Sequence, residues 1–460
     1  MAQQIVSRSP QDSTDLVVSA PAATVEQVQT AVIRARAAAH EWSTAPAVQR
    51  ATALHAAANA VAGAATELAD LIVREVGKPI GESHGEVARG VAILRYFAQQ
   101  ALDPDGETYP SADGRALLLA RRRPRGTVGL ITPWNFPIAI PLWKAAPALA
   151  FGNAVVLKPA PDASAVAIRL EELVRTALPD GVLQVVIGSA KAGQALVESV
   201  DAVSFTGSAA VGRSVAVAAA RRGIAAQCEM GGQNASIVLP DADIEHTASI
   251  IANAAMGYAG QKCTATSRVV IVGDPAPLTQ ALVAAVEHLA CGDPADEATV
   301  VGPVINEAAR ARVLEAAAAA VASGGRVLTG ARPGAGDGWF VQPTLIDGVK
   351  PDSTVAQEEV FGPLCALLTA PDVEDALQIA NGVPFGLAAS VFTRDLNIAL
   401  DLAHRLDVGL ARINAPTSGV DFHAPFGGEK DSSYGPREQG KAARDFYTST
   451  RTITIAPAAS

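Results

Sequence analysis

The sequence predicts an α/β protein built on doubly wound, largely parallel sheets, and two observations carry that prediction. From residue 126 to about residue 413, short runs rich in Val, Ile and Leu alternate with stretches in which apolar residues have helical spacing. Alternation of this kind is typical of parallel strands joined by crossover helices. The chain also has 460 residues, of which 49% are hydrophobic, so it is long enough for two or three domains with buried cores.

The chain is expected to begin with helices. Apolar residues recur at helical spacing through residues 24–103, with Thr24 as an N-cap and Gly77 as a stop signal. Proline and glycine are frequent in residues 104–114, which predicts turns. The run "RALLLARRRP", residues 115–124, predicts a strand suited to a sheet edge.

Two strand–helix sets follow this region. The first contains the strand-like runs "TVGLIT", "NAVVLKP", "LQVVIG" and "AVSFTGS". The second starts at "NASIVL" and includes "SRVVIVG", "GRVLTG", "LCALLTA" and "LAASVFT". The run "RTITIA", residues 451–456, predicts a last strand after a helix. Because a terminal strand tends to fray unless something pairs with it, a partner subunit is one candidate for that pairing.

Charge and hydropathy exclude several classes of function. The net charge is −10 and the one short basic run is "RRRPR", residues 121–125, so we expect no nucleic-acid partner. The N-terminal residues lack the basic and apolar regions of a secretory signal, so none is expected. The apolar stretch 126–143 has nearly the length of a membrane span, but Asn135 and three prolines predict a buried strand, a turn and a helix start instead.

The cysteines indicate thiol chemistry more than structural crosslinks. Cys228, Cys263, Cys291 and Cys365 are widely spaced and form no C-x-x-C pair. This pattern predicts neither a disulfide framework nor a metal site. A cytoplasmic location is expected, since thiols stay reduced there.

Two segments that follow predicted strands are candidate ligand sites, because ligands of open α/β sheets bind beyond the carboxyl ends of the strands. In "TPWNFP", residues 132–137, Asn135 is suited to donate its amide to a developing oxyanion, or else to form a turn. In "FTGSAAVG", residues 205–212, the glycines and the following helix start favour a phosphate. The pattern lacks the G-x-G-x-x-G form and the P-loop lysine, so tight helix–strand packing is an equal alternative.

Two further segments contain an acid–base and a nucleophile candidate. In "CEMGGQN", residues 228–234, Glu229 lies beside apolar residues, which suits a general base of raised pKa; a solvent-facing glutamate is the alternative. In "GYAGQKCTATSR", residues 257–268, Cys263 lies among glycine and hydroxyl residues, where it is either a reactive nucleophile or an inert buried thiol. Together with Asn135 they form a nucleophile, a base and an oxyanion donor.

Six motifs occur in an order with sensible spacing: "ITPWNFP", "LKPA", "FTGS", "EMGG", "GQKCTATSR" and "EEVFGP". This series resembles the NAD(P)-dependent aldehyde dehydrogenase superfamily over essentially the whole chain. The resemblance implies an enzyme that oxidises an aldehyde to the carboxylic acid with NAD or NADP. The alternative is a non-catalytic nucleotide-binding oligomer, which would be expected to lack Cys263 or Glu229, and both are present. It also implies a homodimer or homotetramer with a small β oligomerisation arm beside two doubly wound domains.

The resemblance also implies domain boundaries. Residues 1–104 and 125–231 would form the NAD(P)-binding domain, and residues 232–432 the catalytic domain. Residues 105–124 and 433–460 would form the oligomerisation arm.

The family pattern implies roles for the candidates. Cys263 would attack the aldehyde to form a thiohemiacetal and then, after hydride loss, a thioester, with Asn135 and the Cys263 N–H holding the oxyanion. Glu229 would activate the water that hydrolyses the thioester, and its presence favours hydrolysis over transfer to coenzyme A. Lys144 and Glu438 match positions that support a proton relay.

Cofactor contacts are carried over in the same way. Lys158 and Glu359 would bind the two riboses. The other residues implied in cofactor binding are Ile131, Thr132, Pro133, Trp134, Ala160, Pro161, Gly193, Phe205, Thr206, Gly207, Ser208, Val211 and Phe361. Many relatives that prefer NAD have an acidic residue where Pro161 stands, so NADP stays an alternative unless Asp162 takes over that role.

The substrate expectation rests on two stretches. "ITPWNFPIAIPLWK" and "TSGVDFHAPFGG" look most like α-ketoglutaric semialdehyde dehydrogenases, whose aldehydes carry a carboxylate. Lys262 and His423 are the two candidate anchors for that carboxylate. Phe136, Trp143, Phe422 and Phe426 would form an apolar sleeve that suits an aliphatic or aromatic aldehyde equally well, and Thr264 is a further residue expected in the substrate pocket.

Overall fold

The computed structural model describes residues 3–458 and contains five β-sheets. The strands are β1 Gln4–Arg8, β2 Leu16–Pro21, β3 Gly106–Pro110, β4 Leu117–Pro124, β5 Thr127–Ile131, β6 Ala154–Lys158, β7 Leu183–Val185, β8 Ala202–Thr206, β9 Ala225–Glu229, β10 Asn234–Val238, β11 Thr266–Val272, β12 Arg326–Thr329, β13 Thr344–Asp347, β14 Leu364–Ala370, β15 Phe385–Gly386, β16 Ala388–Phe392, β17 Leu410–Ile413, β18 Glu429–Lys430, β19 Ser433–Tyr434 and β20 Thr448–Ile455.

The helices account for most of the remaining chain. They are α1 Val25–Thr44, α2 Ala47–Gly63, α3 Ala65–Val76, α4 Ile80–Gln100, α5 Ala139–Ala150, α6 Ser164–Arg175, α7 Ala190–Val197, α8 Ala209–Arg222, α9 Ile244–Met256, α10 Ala276–Glu287, α11 Glu307–Ala322, α12 Thr354–Gln357, α13 Val373–Asn381, α14 Leu396–Arg405 and α15 Ala443–Tyr447. Helix α1 begins at the predicted N-cap Thr24, and the structure adds a capping box: the Thr24 hydroxyl accepts from the N–H of Gln27, whose side chain accepts from the N–H of Thr24.

The first large sheet has the strand order β19-β9-β8-β5-β6-β7, and every strand except β19 runs parallel to its neighbours. Alternate side chains of β5 enter two different cores: Val128 and Leu130 pack with α4, α5 and α6, and Ile131 packs with α1 and α7. The strand is therefore buried on both faces, as central strands of parallel sheets are.

The second large sheet has the order β12-β13-β14-β11-β10-β16-β17, and only the edge strand β12 is antiparallel. Helices α9, α10 and α11 pack on one face, and α13 and α14 on the other. The two large sheets confirm the prediction of two doubly wound units.

A three-stranded antiparallel sheet with the order β20-β4-β3 forms an arm. Strand β4 is its centre, not the edge that the sequence suggested, because β20 pairs along its whole length from Thr448↔Pro124 to Ile455↔Leu117. Strand β19 pairs with β9 of the first large sheet, so residues 433–434 lie outside the arm sheet although the expected arm segment began at 433. Both differences arise from long-range pairing, which local patterns do not encode.

Within residues 3–458, no single helix is both long and apolar enough to cross a bilayer; α2 and α3 reach those limits only as a pair bent by 68°, by length and composition alone. The apolar stretch 126–143 forms β5, a turn and the start of α5, as predicted.

Candidate active site

Two cavities meet at the side chain of Cys263. The larger, of about 410 Å³, is termed the cleft, and the smaller, of about 260 Å³, is termed the pocket. The side chains of Cys263 and Ile140 line both. A thiol at this junction can therefore contact a molecule in either cavity.

A sharp bend delivers Cys263 to the junction. Tyr258, Ala259 and Gly260 follow α9 with successive left-handed φ angles of 55°, 52° and 67°. At Gly260 a Cβ atom would lie 2.3 Å from the Gly362 carbonyl oxygen, so the bend requires glycine there. The two glycine-flanked motifs, "GYAGQKC" and "FGP", are thus packed against each other.

The Cys263 segment is tied down through its backbone. The Nδ2 amide of Asn234 donates to the carbonyls of Cys263 and Ala265, each at 2.8 Å. Burial raises the pKa of the Cys263 thiol to about 12, and the carboxylate of Glu359 adds to that shift. The thiol is therefore neutral near pH 7 in this arrangement.

Asn135 reaches the same segment from the opposite side. Its Nδ2 donates to the carbonyl oxygen of Gln261 at 2.9 Å, and Asn135 also lines the cleft beside Cys263. Gln261 is held in turn, since its Oε1 accepts from the N–H of Ile305 at 2.8 Å. The structure thus brings the predicted oxyanion donor and the predicted nucleophile together.

Glu229 ends β9 and is 2% exposed. Its Oε2 accepts a hydrogen bond from the Ser433 hydroxyl at 2.5 Å. Burial raises the pKa of Glu229 well above its usual range, and the nearby Glu438 carboxylate raises it further. Among the residues that line the cleft and the pocket Glu229 is absent, although its neighbours Met230 and Gly231 line the cleft.

Lys144 and Glu438 form a buried ion pair next to Glu229. The Lys144 ammonium also donates to the Ser204 hydroxyl at 2.7 Å, and Glu438 Oε2 accepts from the Trp143 indole at 2.8 Å. The pairing leaves both charges satisfied in a dry environment. The ion pair thereby joins Lys144 and Glu438, which lie almost three hundred positions apart in the sequence. Their role in a proton relay stays a prediction.

The cleft is suited to a dinucleotide. Its walls contain nine of the expected residues: Pro133, Trp134, Asn135, Thr206, Gly207, Ser208, Cys263, Glu359 and Phe361. The Thr206 hydroxyl is buried there with no hydrogen-bond partner among residues 3–458, and α8 begins directly after Ser208 with no side-chain cap. An unpaired hydroxyl and a free helix N-terminus fit a ligand that supplies polar and anionic groups.

The sequence reasoning missed part of the cleft wall. Met230, Gly231, Ile305, Asn306, Ala308 and Arg312 also line it. Asn306 caps α11 by accepting from the N–H of Ala309, so the start of this helix forms one rim. No local pattern marks this contribution, because α11 reaches the cleft only through the packing of the second sheet.

Five of the six residues predicted for the substrate pocket line it: Phe136, Trp143, Lys262, Thr264 and Phe426. Phe422 does not; it packs edge-to-face on Tyr96 with ring centroids 5.7 Å apart. His423, the second anchor candidate, is exposed and also lies outside the pocket wall.

Helix α4 contributes a charged wall that sequence reasoning missed. Glu82, Glu86 and Arg89 line the pocket from one face of this helix. Their spacing of four and three residues was a usable signal, since such positions share one helical face. Gly419 and Val420 complete the wall from a loop.

Comparison with known proteins agrees with this geometry. The family model for the aldehyde dehydrogenase family matches residues 1–453. The chain belongs to the aldehyde dehydrogenase family. It is an NAD(P)-dependent enzyme that oxidises an aldehyde to the carboxylic acid.

Three similar proteins illustrate where this aldehyde dehydrogenase lies within the family. It is 40% identical to the α-ketoglutaric semialdehyde dehydrogenase of Bacillus subtilis, over 98% of this chain and 94% of that protein. It is 38% identical to the α-ketoglutarate semialdehyde dehydrogenase of Haloferax volcanii, over 97% of this chain and 94% of that one. The betaine aldehyde dehydrogenase of Staphylococcus aureus, solved with NAD+, superposes with a TM-score of 0.95 at 30% identity, covering 98% of this chain and 91% of that chain.

The remaining residues expected at the dehydrogenase's cofactor do not line the cleft itself; they are Ile131, Thr132, Lys158, Ala160, Pro161, Gly193, Phe205 and Val211. Lys158 Nζ donates to the carbonyls of Pro159 and Gly188 at 2.6 and 3.1 Å, and burial lowers its pKa to about 8. A Cβ at Gly193 would lie 3.5 Å from the Lys158 side chain, so these two meet at the end of β6.

Proposed function

We propose that this aldehyde dehydrogenase oxidises a semialdehyde that carries a second, anionic group, with α-ketoglutaric semialdehyde as the leading example. The observation that carries the proposal is Arg89, a cation on the pocket wall with no carboxylate within 4.0 Å among residues 3–458. The relatives named for α-ketoglutaric semialdehyde support the same substrate.

The other charges of the pocket cancel in pairs. Lys262 donates to Glu82 at 2.8 Å, and Lys78, behind the wall, is ion-paired with Glu86. Lys78 also lies 3.7 Å from the centre of the Phe136 ring, which fixes its position further. Arg89 is therefore the uncompensated charge, and a guanidinium suits a carboxylate through two parallel hydrogen bonds. Lys262, one of the two original anchor candidates, is a weaker choice because Glu82 already neutralises it.

We further propose the following division of labour at the reacting carbon. The Cys263 thiol loses its proton to solvent, the sulfur of the resulting thiolate bonds to the aldehyde carbon as the carbonyl π electrons move to oxygen, and the oxyanion accepts hydrogen bonds from Asn135 and the Cys263 N–H. Trp134, Ser208 and Phe361 would help to hold NAD(P) in the cleft, where it would supply the acceptor for the hydride that leaves the aldehyde carbon. Glu229 takes a proton from the water that attacks the thioester, and the carbon–sulfur bond then breaks to release the acid.

Lys144 and Glu438 are proposed to carry that proton onwards. Their ion pair adjoins Glu229, and the Ser204 hydroxyl bridges them by hydrogen bonds to both at 2.7 and 3.2 Å. A buried base that must release its proton after each turnover needs such a connected group, because desolvation blocks direct exchange with bulk water.

The test is the initial rate of cofactor reduction for a panel of aldehydes, with NAD and NADP measured separately. We expect higher kcat/KM for α-ketoglutaric and succinic semialdehydes than for hexanal and benzaldehyde. Cys263→Ala is the control: it should abolish oxidation while leaving cofactor affinity nearly unchanged.

An apolar aldehyde is the second candidate, favoured by the rings of Phe136, Trp143 and Phe426 in the pocket. A preference for hexanal or benzaldehyde in the same panel would support it and contradict the anionic substrate.

We also propose that the arm joins subunits into a dimer or a dimer-based tetramer. The two edges of its sheet, β3 and β20, have no further strand beside them among residues 3–458. Tyr109 on β3 and Ile455 on β20 are about half exposed, and unpaired edges with apolar side chains favour pairing with another chain. We propose that residues 1–104 and 125–231 form the NAD(P)-binding domain and residues 232–432 the catalytic domain; the start of the second large sheet's first strand at Asn234 supports this division.

A further inference from the structure

We propose that Ser433 is a positioning residue for thioester hydrolysis, which holds Glu229 in place and keeps its carboxylate ready to accept a proton. The inference rests on the proposed role of Glu229 as the base. It adds a residue that the family motifs quoted above do not include.

The direction of the hydrogen bond is set by a second contact. The Ser433 oxygen accepts from the backbone N–H of Gly428 at 2.6 Å. The single hydroxyl proton is then directed to Glu229 Oε2, 2.5 Å away. Since an ionised carboxylate only accepts hydrogen bonds, this donor stabilises the form that can act as a base.

Ser433 is also the only hydrogen-bond donor to the Glu229 carboxylate among residues 3–458. The strand pairing of Ser433 with Glu229 keeps the two side chains adjacent. On the side of the carboxylate away from Ser433, a Cβ atom at Gly427 would lie 2.8 Å from Glu229 Oε1. The carboxylate is therefore confined between two small residues, Ser433 and Gly427. Loss of the hydroxyl would leave its position set by packing alone.

The charged and titratable groups around Glu229 have opposing effects on the ionisation of its carboxyl group. Glu438 disfavours its ionised form, whereas Lys144 and Arg437 favour it, and Cys228 precedes it on β9. Arg437 is engaged with Glu429 and the Gly428 carbonyl, and Lys144 with Glu438. Neither cation donates directly to Glu229, so Ser433 provides the direct stabilising contact.

The step affected is the second half of the reaction. The water oxygen bonds to the thioester carbon, one water proton passes to Glu229, the carbon–sulfur bond breaks, and the Cys263 sulfur leaves as a thiolate. In the proposed scheme Glu229 takes no part in formation of the thioester. Removal of the Ser433 hydroxyl should therefore slow hydrolysis and leave acylation unchanged.

An activated ester, 4-nitrophenyl acetate, separates the two halves without cofactor or the native aldehyde. Release of 4-nitrophenolate reports acylation of Cys263, and the decay of the acetyl-enzyme mass after rapid desalting reports hydrolysis. In Ser433→Ala we expect an unchanged acylation rate and roughly tenfold slower decay of the acetyl-enzyme at neutral pH. The acid limb of the pH profile of that decay rate should move to higher pH. In Ser433→Cys, where the thiol is a weaker donor of similar size, the decay rate and the acid limb should shift in the same direction as in Ser433→Ala. Ser433→Thr keeps the hydroxyl and should restore the decay rate of the parent enzyme.

The matched control is Ser432→Ala. Ser432 is buried, and its hydroxyl donates to Gly231 and accepts from the N–H of Gly386, with no contact to Glu229. For Ser432→Ala we expect lower thermal stability, whereas the acid limb of the decay-rate profile should stay at the same pH as in the parent enzyme. A decay profile of Ser433→Ala and Ser433→Cys that overlays the parent enzyme would overturn the proposal. A burst of 4-nitrophenolate that survives Cys263→Ala would instead refute the proposed function at its first step.

Discussion

The side-chain amide of Asn135 donates to the backbone carbonyl of Gln261 at 2.9 Å. This bond joins the loop after β5 to the loop that carries Cys263. The amide group has two N–H bonds, and the bond to Gln261 occupies one of them. The first bond orients the second N–H, which in the proposed mechanism would donate to the oxyanion at Cys263 without reorganisation.

Asn135→Ala should lower kcat roughly a hundred- to a thousandfold, as expected for the loss of one oxyanion donor. The KM should change less, because a ground-state carbonyl gains little from this donor. Steady-state kinetics measure both. Asn253→Ala, which removes an exposed amide bonded only to the Ser249 carbonyl, is the control and should leave kcat unchanged.

Alkylation of Cys263 by iodoacetamide in the cofactor-free enzyme should rise about tenfold per pH unit between about pH 7 and 10 without a plateau. The cause is the pKa of about 12 that burial and the Glu359 carboxylate impose, so the reactive thiolate stays a minor form across this range. Peptide mass spectrometry resolves Cys263 from the exposed Cys291. A plateau below about pH 8 would show that another group activates the thiol before cofactor binds.

Glu229→Gln should let the acyl-enzyme accumulate. The amide can still accept from Ser433, so the position is kept while the ability to take a proton is lost. We expect one equivalent of cofactor to be reduced rapidly and then a slow steady state, with the acyl adduct visible in the intact protein mass. Normal steady-state turnover would exclude Glu229 as the base.

Arg89→Met should raise the KM for carboxylated aldehydes roughly ten- to a hundredfold, since it removes a charge-assisted contact. The KM for hexanal should stay within about twofold. Arg95→Met, on the same helix but exposed and turned to Asn59, is the matched control. Equal losses for both kinds of aldehyde would point to altered packing of α4 and contradict an anchor.

Truncation after Tyr447 should convert the expected dimer or tetramer into a smaller species. It removes β20, which pairs with β4 over eight positions and supplies one edge of the arm sheet. Light scattering after size exclusion gives the mass, and circular dichroism checks that the two large sheets survive. An unchanged mass would place the subunit contact elsewhere.

Much of the fold followed from local patterns. The alternation of strands and helices after residue 126 predicted both doubly wound sheets, because each strand buries both faces and each crossover helix buries one. The helical N-terminal region and its Thr24 cap were predicted as well. The hairpin of β1 and β2 was not, since its strands are short and mostly polar or half exposed.

The sequence by itself predicted the chemistry: Cys263, Glu229 and Asn135 lie in segments whose glycines and small residues permit close approach, and their residue types suit nucleophile, base and oxyanion donor. Tertiary structure alone decided what surrounds them. It brought Ser433 to Glu229 and Glu438 to Lys144, and it turned Arg89 into the pocket while Phe422 packs on Tyr96. The physical reason is range: local patterns record which face of an element is buried, whereas the partner on that face comes from strand order and helix packing, which join residues hundreds of positions apart.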